Sequence, residues 1–310
     1  MRVPIITDEA AQQGGWHGIS LSQAFAQRGF EAVFVELQDC MIDLSGNHPC
    51  IRIPQFEQRP AFAFIRGIAA GTLQQVITRL NVLHILKMQG MYIYNDAKAI
   101  ERTVDKGMTS FLLKQHGIPT PATWVCESRQ HAHAIIQSQL QHQLALVIKP
   151  LFGSQGQGVR LIERQDAYPL PRDLFVDGVY YLQEKIETGK HNYDYRVFVI
   201  NNQAVATMQR SGEGWLHNVA RGARCKWVED TAIAQLAESA AKALNIDYCG
   251  VDIICDVDGK LWVLEVNSIP AWRGLQSVCS ANIAQLLVDD LIQKAHRAQS
   301  SDQPDGNRPQ

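Results

Sequence analysis

Short apolar runs alternate with amphipathic stretches through the first third of the chain. Arg2–Ile6, Glu31–Leu37, Ala61–Ile65 and Met91–Tyr94 read as buried strands. Between them, the segment from Gly18 to Arg28 has helical spacing before Gly29. From Thr72 to Met88, Leu73, Val76, Ile77, Leu80 and Leu83 recur at helical intervals until Gly90 stops the pattern. Strand, loop, helix and strand predict a parallel α/β unit. Gly14, Gly15 and Gly18 do not fit G-x-G-x-x-G, so a dinucleotide site of that type is a weak reading. A loop at the carboxyl end of a strand is nevertheless where open α/β sheets bind ligands. That makes Trp16 and His17 candidate substrate contacts, with ordinary packing the alternative for Trp16.

The middle of the chain predicts helices over Asn95–Lys106 and Met108–His116, a strand over Thr120–Val125 and a helix over Ser128–Gln143. His131, His133 and His142 do not share a helix face, which argues against a metal there. Leu144–Lys149 is then a buried strand with a lysine at its end, followed by Gly153, Gly156 and Gly158 and a further strand to Ile162. A lysine leaving an apolar strand needs its charge compensated, and a phosphate does so. The glycines free backbone N–H groups to approach an anion. G-K-[ST] is absent and a strand follows, so this is no Walker A loop. The favoured reading is a glycine-rich hairpin over phosphates; the alternative is a mobile turn.

The last third carries the most specific pattern. Val251–Cys255 and Leu261–Val266 flank Asp258-Gly259, a preferred two-residue turn. If Val257 and Lys260 close it, Asp252 faces Glu265, and Asn267 shares their face because strand side chains alternate. Facing carboxylates repel. A divalent cation reverses the sign, and two carboxylates with an amide oxygen suit Mg²⁺, which completes its shell with water and phosphates. The pattern points to nucleotide-dependent phosphoryl or acyl transfer. The competing reading is an edge hairpin facing water, reached by a one-residue slip. Thr231–Asn245 and Ala281–Ala298 read as amphipathic helices, and residues 299–310 as a disordered tail.

Composition narrows the class. A chain of 310 residues predicts roughly two domains, and 46% hydrophobic content supports a sizeable core. A net charge of −2 gives no footprint for nucleic acid or an anionic membrane. No apolar run reaches the roughly 18 residues of a membrane span, and the N-terminus turns polar too early for a signal peptide. Seven scattered cysteines without C-x-x-C argue against zinc and for reduced thiols in a cytoplasm.

Nine pieces in sequence order then resemble the ATP-grasp superfamily, specifically its RimK-like branch of carboxylate–amine ligases. They are Asp105-Lys106, Val147-Ile-Lys149-Pro150, Gly153-Ser-Gln-Gly-Gln-Gly-Val159, Leu182-Gln-Glu184-Lys-Ile186, Tyr193-Asp-Tyr-Arg196, Met208-Gln-Arg210, Asn218-Val-Ala-Arg221-Gly222, Gly250-Val-Asp252 and Leu264-Glu-Val-Asn267-Ser268. The resemblance implies an α/β (α+β) ATP-grasp fold. An N-terminal parallel α/β domain (1–94) precedes two α+β subdomains (95–182 and 183–298) that hold ATP between them, ahead of the tail (299–310).

The resemblance also implies roles. Lys106 and Lys149 would hold the ATP phosphates, covered by Gly153, Ser154, Gln155, Gly156 and Gly158. Gln183, Glu184, Lys185 and Ile186 would form the strand that meets adenine, and Asp194 would lie near the ribose. Arg196, Arg210, Asn218 and Arg221 would surround the γ-phosphate and acyl substrate. Asp252, Glu265 and Asn267 would bind Mg²⁺, with Mn²⁺ as a substitute. For each arginine a structural salt bridge is the alternative. A two-residue turn at Asn201-Asn202 would put Arg196 and Arg210 on opposite strand faces, so a bulge or another loop is required. His217-Asn218, Ala220 and the bulky Ile269–Gly274 segment depart from the family pattern. Pro270-Ala-Trp-Arg-Gly274 resembles a sub-branch linked to tetrahydromethanopterin or methanofuran cofactor synthesis. Arg273 is a candidate partner for a substrate carboxylate or phosphate, or else a loop salt bridge.

The implied activity is ATP- and Mg²⁺-dependent amide formation, adding L-glutamate or a similar amino acid to a small carboxylate through an acyl phosphate. The alternatives are a kinase that stops at phosphoryl transfer and a non-catalytic nucleotide-binding regulator. Partners are small carboxylate and amine substrates, with neither nucleic acid nor membrane. Family members often form homo-oligomers, but no interface is legible.

Overall fold

The four apolar runs of the first third lie side by side. In the computed structural model, β1 (Arg2–Ile6) pairs in parallel with β2 (Glu31–Val35). A small antiparallel ribbon follows, β3 (Met41–Asp43) with β4 (Cys50–Arg52), which the sequence pattern does not announce. Parallel β5 (Phe62–Ile65) and β6 (Tyr92–Tyr94) complete the sheet in the order β2-β1-β5-β6. Helices α1 (Gly15–Ala26) and α2 (Leu73–Met88) connect its strands. Thr72 starts α2 with a capping box: its side chain accepts from Gln75 N–H while the Gln75 side chain returns the bond. The structure describes residues 1–10, 13–153, 157–164, 178–212, 214–215 and 222–301.

Helices α3 (Ala97–Val104) and α4 (Lys106–Gln115) follow, capped by Asp96 and Asp105. The second sheet is antiparallel in the order β7-β10-β8-β9, built from β7 (Thr123–Cys126), β8 (Leu146–Lys149), β9 (Arg160–Ile162) and β10 (Tyr180–Glu184), with α5 (Arg129–Gln141) against it. Ile136, Leu146, Ile148, Tyr180 and Leu182 give this sheet its own apolar cluster.

The third sheet has five strands. β11 (Tyr193–Ile200), β12 (Gln203–Ser211) and β13 (Arg224–Trp227) precede α6 (Thr231–Leu244), then β14 (Tyr248–Cys255) and β15 (Leu261–Asn267); the order is β13-β12-β11-β14-β15. α6 covers one face over Val197, Val199, Val251, Ile253 and Val263. α7 (Arg273–Gln276) and α8 (Ile283–Ser301) close the chain.

Two bulges set this sheet's chemistry. Asn201 and Asn202 form a two-residue turn with φ of 51° and 59°, the left-handed pair that a type I′ hairpin needs. Ile200 pairs with Gln203 and Val199 with Ala204, but Phe198 pairs with Ala206, so Val205 is an extra residue. The slip places Asp194 opposite Arg210 and turns Arg210 onto the face of Arg196. The second hairpin corrects the expected turn. Asp256, not Val257, closes it against Lys260, with Asp256 N–H on Lys260 O at 2.9 Å, and three residues lie between. That shift alone would put Glu265 on the wrong face. Leu264 is bulged out, however, between Ile253↔Val263 and Asp252↔Glu265, so the expected pairing is recovered.

The other face of the third sheet runs into the first sheet. Tyr94 stacks on Tyr248 at 5.0 Å and Phe64 approaches the same ring at 5.4 Å. The wholly buried Asn95 donates to the carbonyls of Tyr248 (2.7 Å) and Ser268 (2.8 Å), while its own oxygen accepts from Asp247 N–H. Phe25, Phe198, Trp272 and Leu287 belong to this same core.

Candidate active site

The three sheets converge on one cleft of about 1040 Å³. Its second-sheet wall carries the two lysines. Lys149 ends β8, where the strand's inner residues are buried, and its Nζ donates to Gln183 Oε1 at 2.6 Å. Gln183 is fixed in turn: its amide donates to Thr123 Oγ1 and Tyr181 OH, and Tyr181 OH bonds Ser110. Lys106 opens α4 and donates to the carbonyls of Leu151 and Gly153, both at 3.0 Å, tethering the start of the glycine-rich loop. Burial lowers the pKa of both lysines, and Glu265 across the cleft opposes that. Glu184 and Ile186 line the cleft beside Gln183. Lys185 lines it too; its side chain pairs with Glu163 and Glu187, and its backbone N–H bonds Ala145 O.

On the third sheet, cations and carboxylates alternate. Arg196 bonds Asp252 through Nε (2.5 Å) and Nη2 (2.8 Å). Arg210 bonds Asp194 through the same two nitrogens at 2.7 Å, and its Nη2 also reaches Asp252 Oδ1 at 2.9 Å. Burial works against every charge here. Yet Arg196 and Arg210 hold Asp252 below the ordinary carboxylate range, and Asp252 and Asp194 raise Arg210. Burial prevails at Asp194 and raises it, despite Arg210. Asp194, expected near a ribose, therefore spends both oxygens on Arg210. The repulsion argument for the hairpin also needs correcting, because two arginines already compensate Asp252.

The case for a cation rests instead on Glu265 and Asn267. Both are half-buried and line the cleft, and Glu265 forms no hydrogen bond or ion pair with any described side chain. With Asp252 opposite Glu265 and Gly250 opposite Asn267, two carboxylates and an amide share one face. This all-oxygen set fits Mg²⁺. Among the described residues no group of three or more His, Cys, Asp or Glu residues is suited to a metal, so any cation here needs the Asn267 amide beside the two carboxylates.

The first-sheet wall brings the carboxyl ends of β1 and β5 to the cleft, as open sheets do. Trp16, His17 and Arg66 line it there, opposite Pro270, Ala271 and Arg273. His17 Nε2 accepts the backbone N–H groups of Trp272 (3.1 Å) and Arg273 (3.3 Å), and the two rings stand edge to face at 4.6 Å. Trp16 packs on the core, as the alternative reading has it, and also lines the cleft. Arg66 was not among the expected site residues. It follows the wholly buried β5, the same signal that singled out Lys149.

Among the expected residues, Gly153, Gly158, Lys106, Lys149, Gln183, Glu184, Ile186, Asp194, Arg196, Arg210, Asp252, Glu265 and Asn267 are placed; Gly158 has φ +73°. Ser154, Gln155, Gly156, His217, Asn218, Ala220 and Arg221 lie outside the described residues, as does the tail from 302.

Three comparisons agree with this geometry. The RimK-like ATP-grasp domain family matches residues 103–291. A tetrahydromethanopterin:alpha-L-glutamate ligase of Methanocaldococcus jannaschii is 36% identical over 221 residues, covering 67% of this chain and 74% of its own. A probable alpha-L-glutamate ligase of Vibrio vulnificus is 30% identical over 303 residues, 95% of this chain and 96% of its own. The ATP-grasp ligase PsnB, solved with a phosphomimetic precursor variant, Mg and ADP, shares the fold with a TM-score of 0.70 at 20% identity, over 94% of this chain and 98% of its own. This chain belongs to the RimK-like ATP-grasp family. It is an ATP-dependent ligase that forms a C–N bond between a carboxylate and an amine.

Proposed function

We propose that the enzyme adds L-glutamate, or a closely similar amino acid, to a small cofactor-like carboxylate through an acyl phosphate. One observation carries the reading: the bulged register that sets Asp252 opposite Glu265 on the face of Arg196 and Arg210, across the cleft from Lys106 and Lys149. Asp252, Glu265 and Asn267 would hold Mg²⁺, which when bound neutralises phosphate oxygens; Mn²⁺ belongs to the same proposal. Lys149 and Lys106 bind the triphosphate. The substrate carboxylate attacks the γ-phosphorus, the bond to the β–γ bridging oxygen breaks, and ADP leaves. Arg210 and Arg196 take up the charge that spreads over the transferred group. The amine then attacks the acyl carbon, phosphate departs with its oxygen, and the amine loses a proton. The chain supplies position and charge, not a covalent nucleophile. The relatives' names support glutamate as the amine and a pterin-type acceptor. Among the described residues no helix is long and apolar enough to cross a membrane, and all seven thiols are free, which supports a cytoplasmic enzyme.

The test is ADP and phosphate release from Mg-ATP with L-glutamate and a panel of pterin and furan cofactor precursors, products followed by mass spectrometry, beside Glu265→Gln. An acceptor heavier by one glutamyl residue, absent with the variant, supports the reading. A phosphorylated acceptor without amide makes it a kinase, and ATP binding without turnover makes it a regulator.

A further inference from the structure

We infer that Arg66 and Arg273 form a carboxylate-binding subsite at the first-sheet end of the cleft, which takes a carboxylate of one of the two ligation substrates. The inference rests on the ligase reading above and adds to it the means of substrate choice. Arg66 leaves β5 with its backbone N–H fixed on Ile6 O at 2.7 Å, and its guanidinium lies 5.4 Å from the ring centre of Trp272. Its Nε is buried with no hydrogen-bond partner among the described residues. A buried donor left unmade is costly, and a guanidinium fork matches a carboxylate. Asp8 and Glu9 face Arg66 from the end of β1 and Tyr248 from below, but burial outweighs them and lowers its pKa. Their carboxylates are exposed, and neither occupies Nε.

Arg273 lines the same cleft and, like Arg66, acts on the His17 ring; it is exposed, with its guanidinium 6.0 Å from the Trp16 ring centre. His17 positions it. Because Nε2 accepts two backbone N–H groups, the ring's proton sits on Nδ1 and the ring is neutral. A neutral histidine braces the Trp272-Arg273 backbone without adding a third charge. Both arginines line the same cavity as Lys149 and Glu265, so one substrate can reach from the phosphates to this subsite.

The test uses the full chain without nucleotide and glutarate as the probe, read by tryptophan fluorescence because Trp16 and Trp272 adjoin the site. Glutarate is expected to give a saturable change that uncharged glutaramide does not give. Arg66→Met and Arg273→Met should each weaken it by about tenfold or more, the loss of one charge-assisted contact. Retained Mg-ATP binding shows that the variants fold. In the ligation assay, Arg273→Met should raise the KM of one substrate with kcat changed little. A rise for the amino acid, or for the acceptor, names the source of the carboxylate. Glutarate binding that is absent, or equal in all three proteins, overturns the subsite whether or not ligation is observed. An unmoved KM for both substrates overturns it too.

Discussion

Arg210 serves two buried carboxylates at once, and that determines how its loss is felt. Removing it leaves Asp194 and Asp252 facing each other in a dry wall, so Arg210→Met should cost about 3–5 kcal/mol in urea unfolding. Glu265 is the converse. No described side chain depends on it, so Glu265→Gln should leave the unfolding midpoint nearly unchanged while ADP release falls by about 100-fold or more. His17 adds a pH signature. Burial first, then Arg66 and Arg273, lower its pKa from 6.5 to about 3. The folded protein refuses a proton that the unfolded chain accepts, so this stability is complete above pH 6.5 and is lost as pH falls toward 3. His17→Gln should flatten the urea midpoint's pH dependence within that window. At this scale the sequence was largely readable, because a cation following an apolar strand is visible in the letters. The rule that selects Lys149 at the end of Leu146–Lys149 also selects Arg66 after Phe62–Ile65.

At the scale of elements, alternation and turn chemistry located most of the helices and the strands of the first sheet and of the last hairpin, but not the β3–β4 ribbon, β13 or the registers. The hairpin of β14 and β15 reads as a two-residue turn, yet Asp256 captures the N–H groups of Asp258 and Lys260 at 3.0 and 2.8 Å and makes it three. Leu264 then restores the pairing. Leu264 and Val205 are ordinary strand residues, and nothing in their identity announces a bulge. The pairing expected from a two-residue turn survives at Asp252 and Glu265 because the longer turn and the Leu264 bulge offset each other. Gly259 sustains the turn at φ +84°. Gly259→Ala should cost about 1–2 kcal/mol in unfolding free energy, with KM for ATP unmoved, since the strain falls on the turn and not the register.

For the molecule as a whole, local pattern reveals the first, parallel sheet, and the family resemblance implies the two subdomains behind it, but neither tells which sheets share a core. The first and third are fused through Phe64, Tyr94, Tyr248 and Asn95, partners distant in sequence and legible only once the chain is folded. The second sheet packs on its own cluster. Amide exchange should therefore protect β5, β6, β11 and β14 together, and β8 and β10 less; equal protection throughout would count against this division.

The Tyr94–Tyr248 stack also sets the terms on which such an enzyme can be rebuilt. The cleft-lining loops of the first sheet invite transplantation between relatives. A graft cut at β6 would separate Tyr94 from the ring it was shaped against and leave Asn95 to find new carbonyls. The first sheet travels with its own β14 as a matched pair, and chimaeras that exchange only the first sheet are expected to yield insoluble protein.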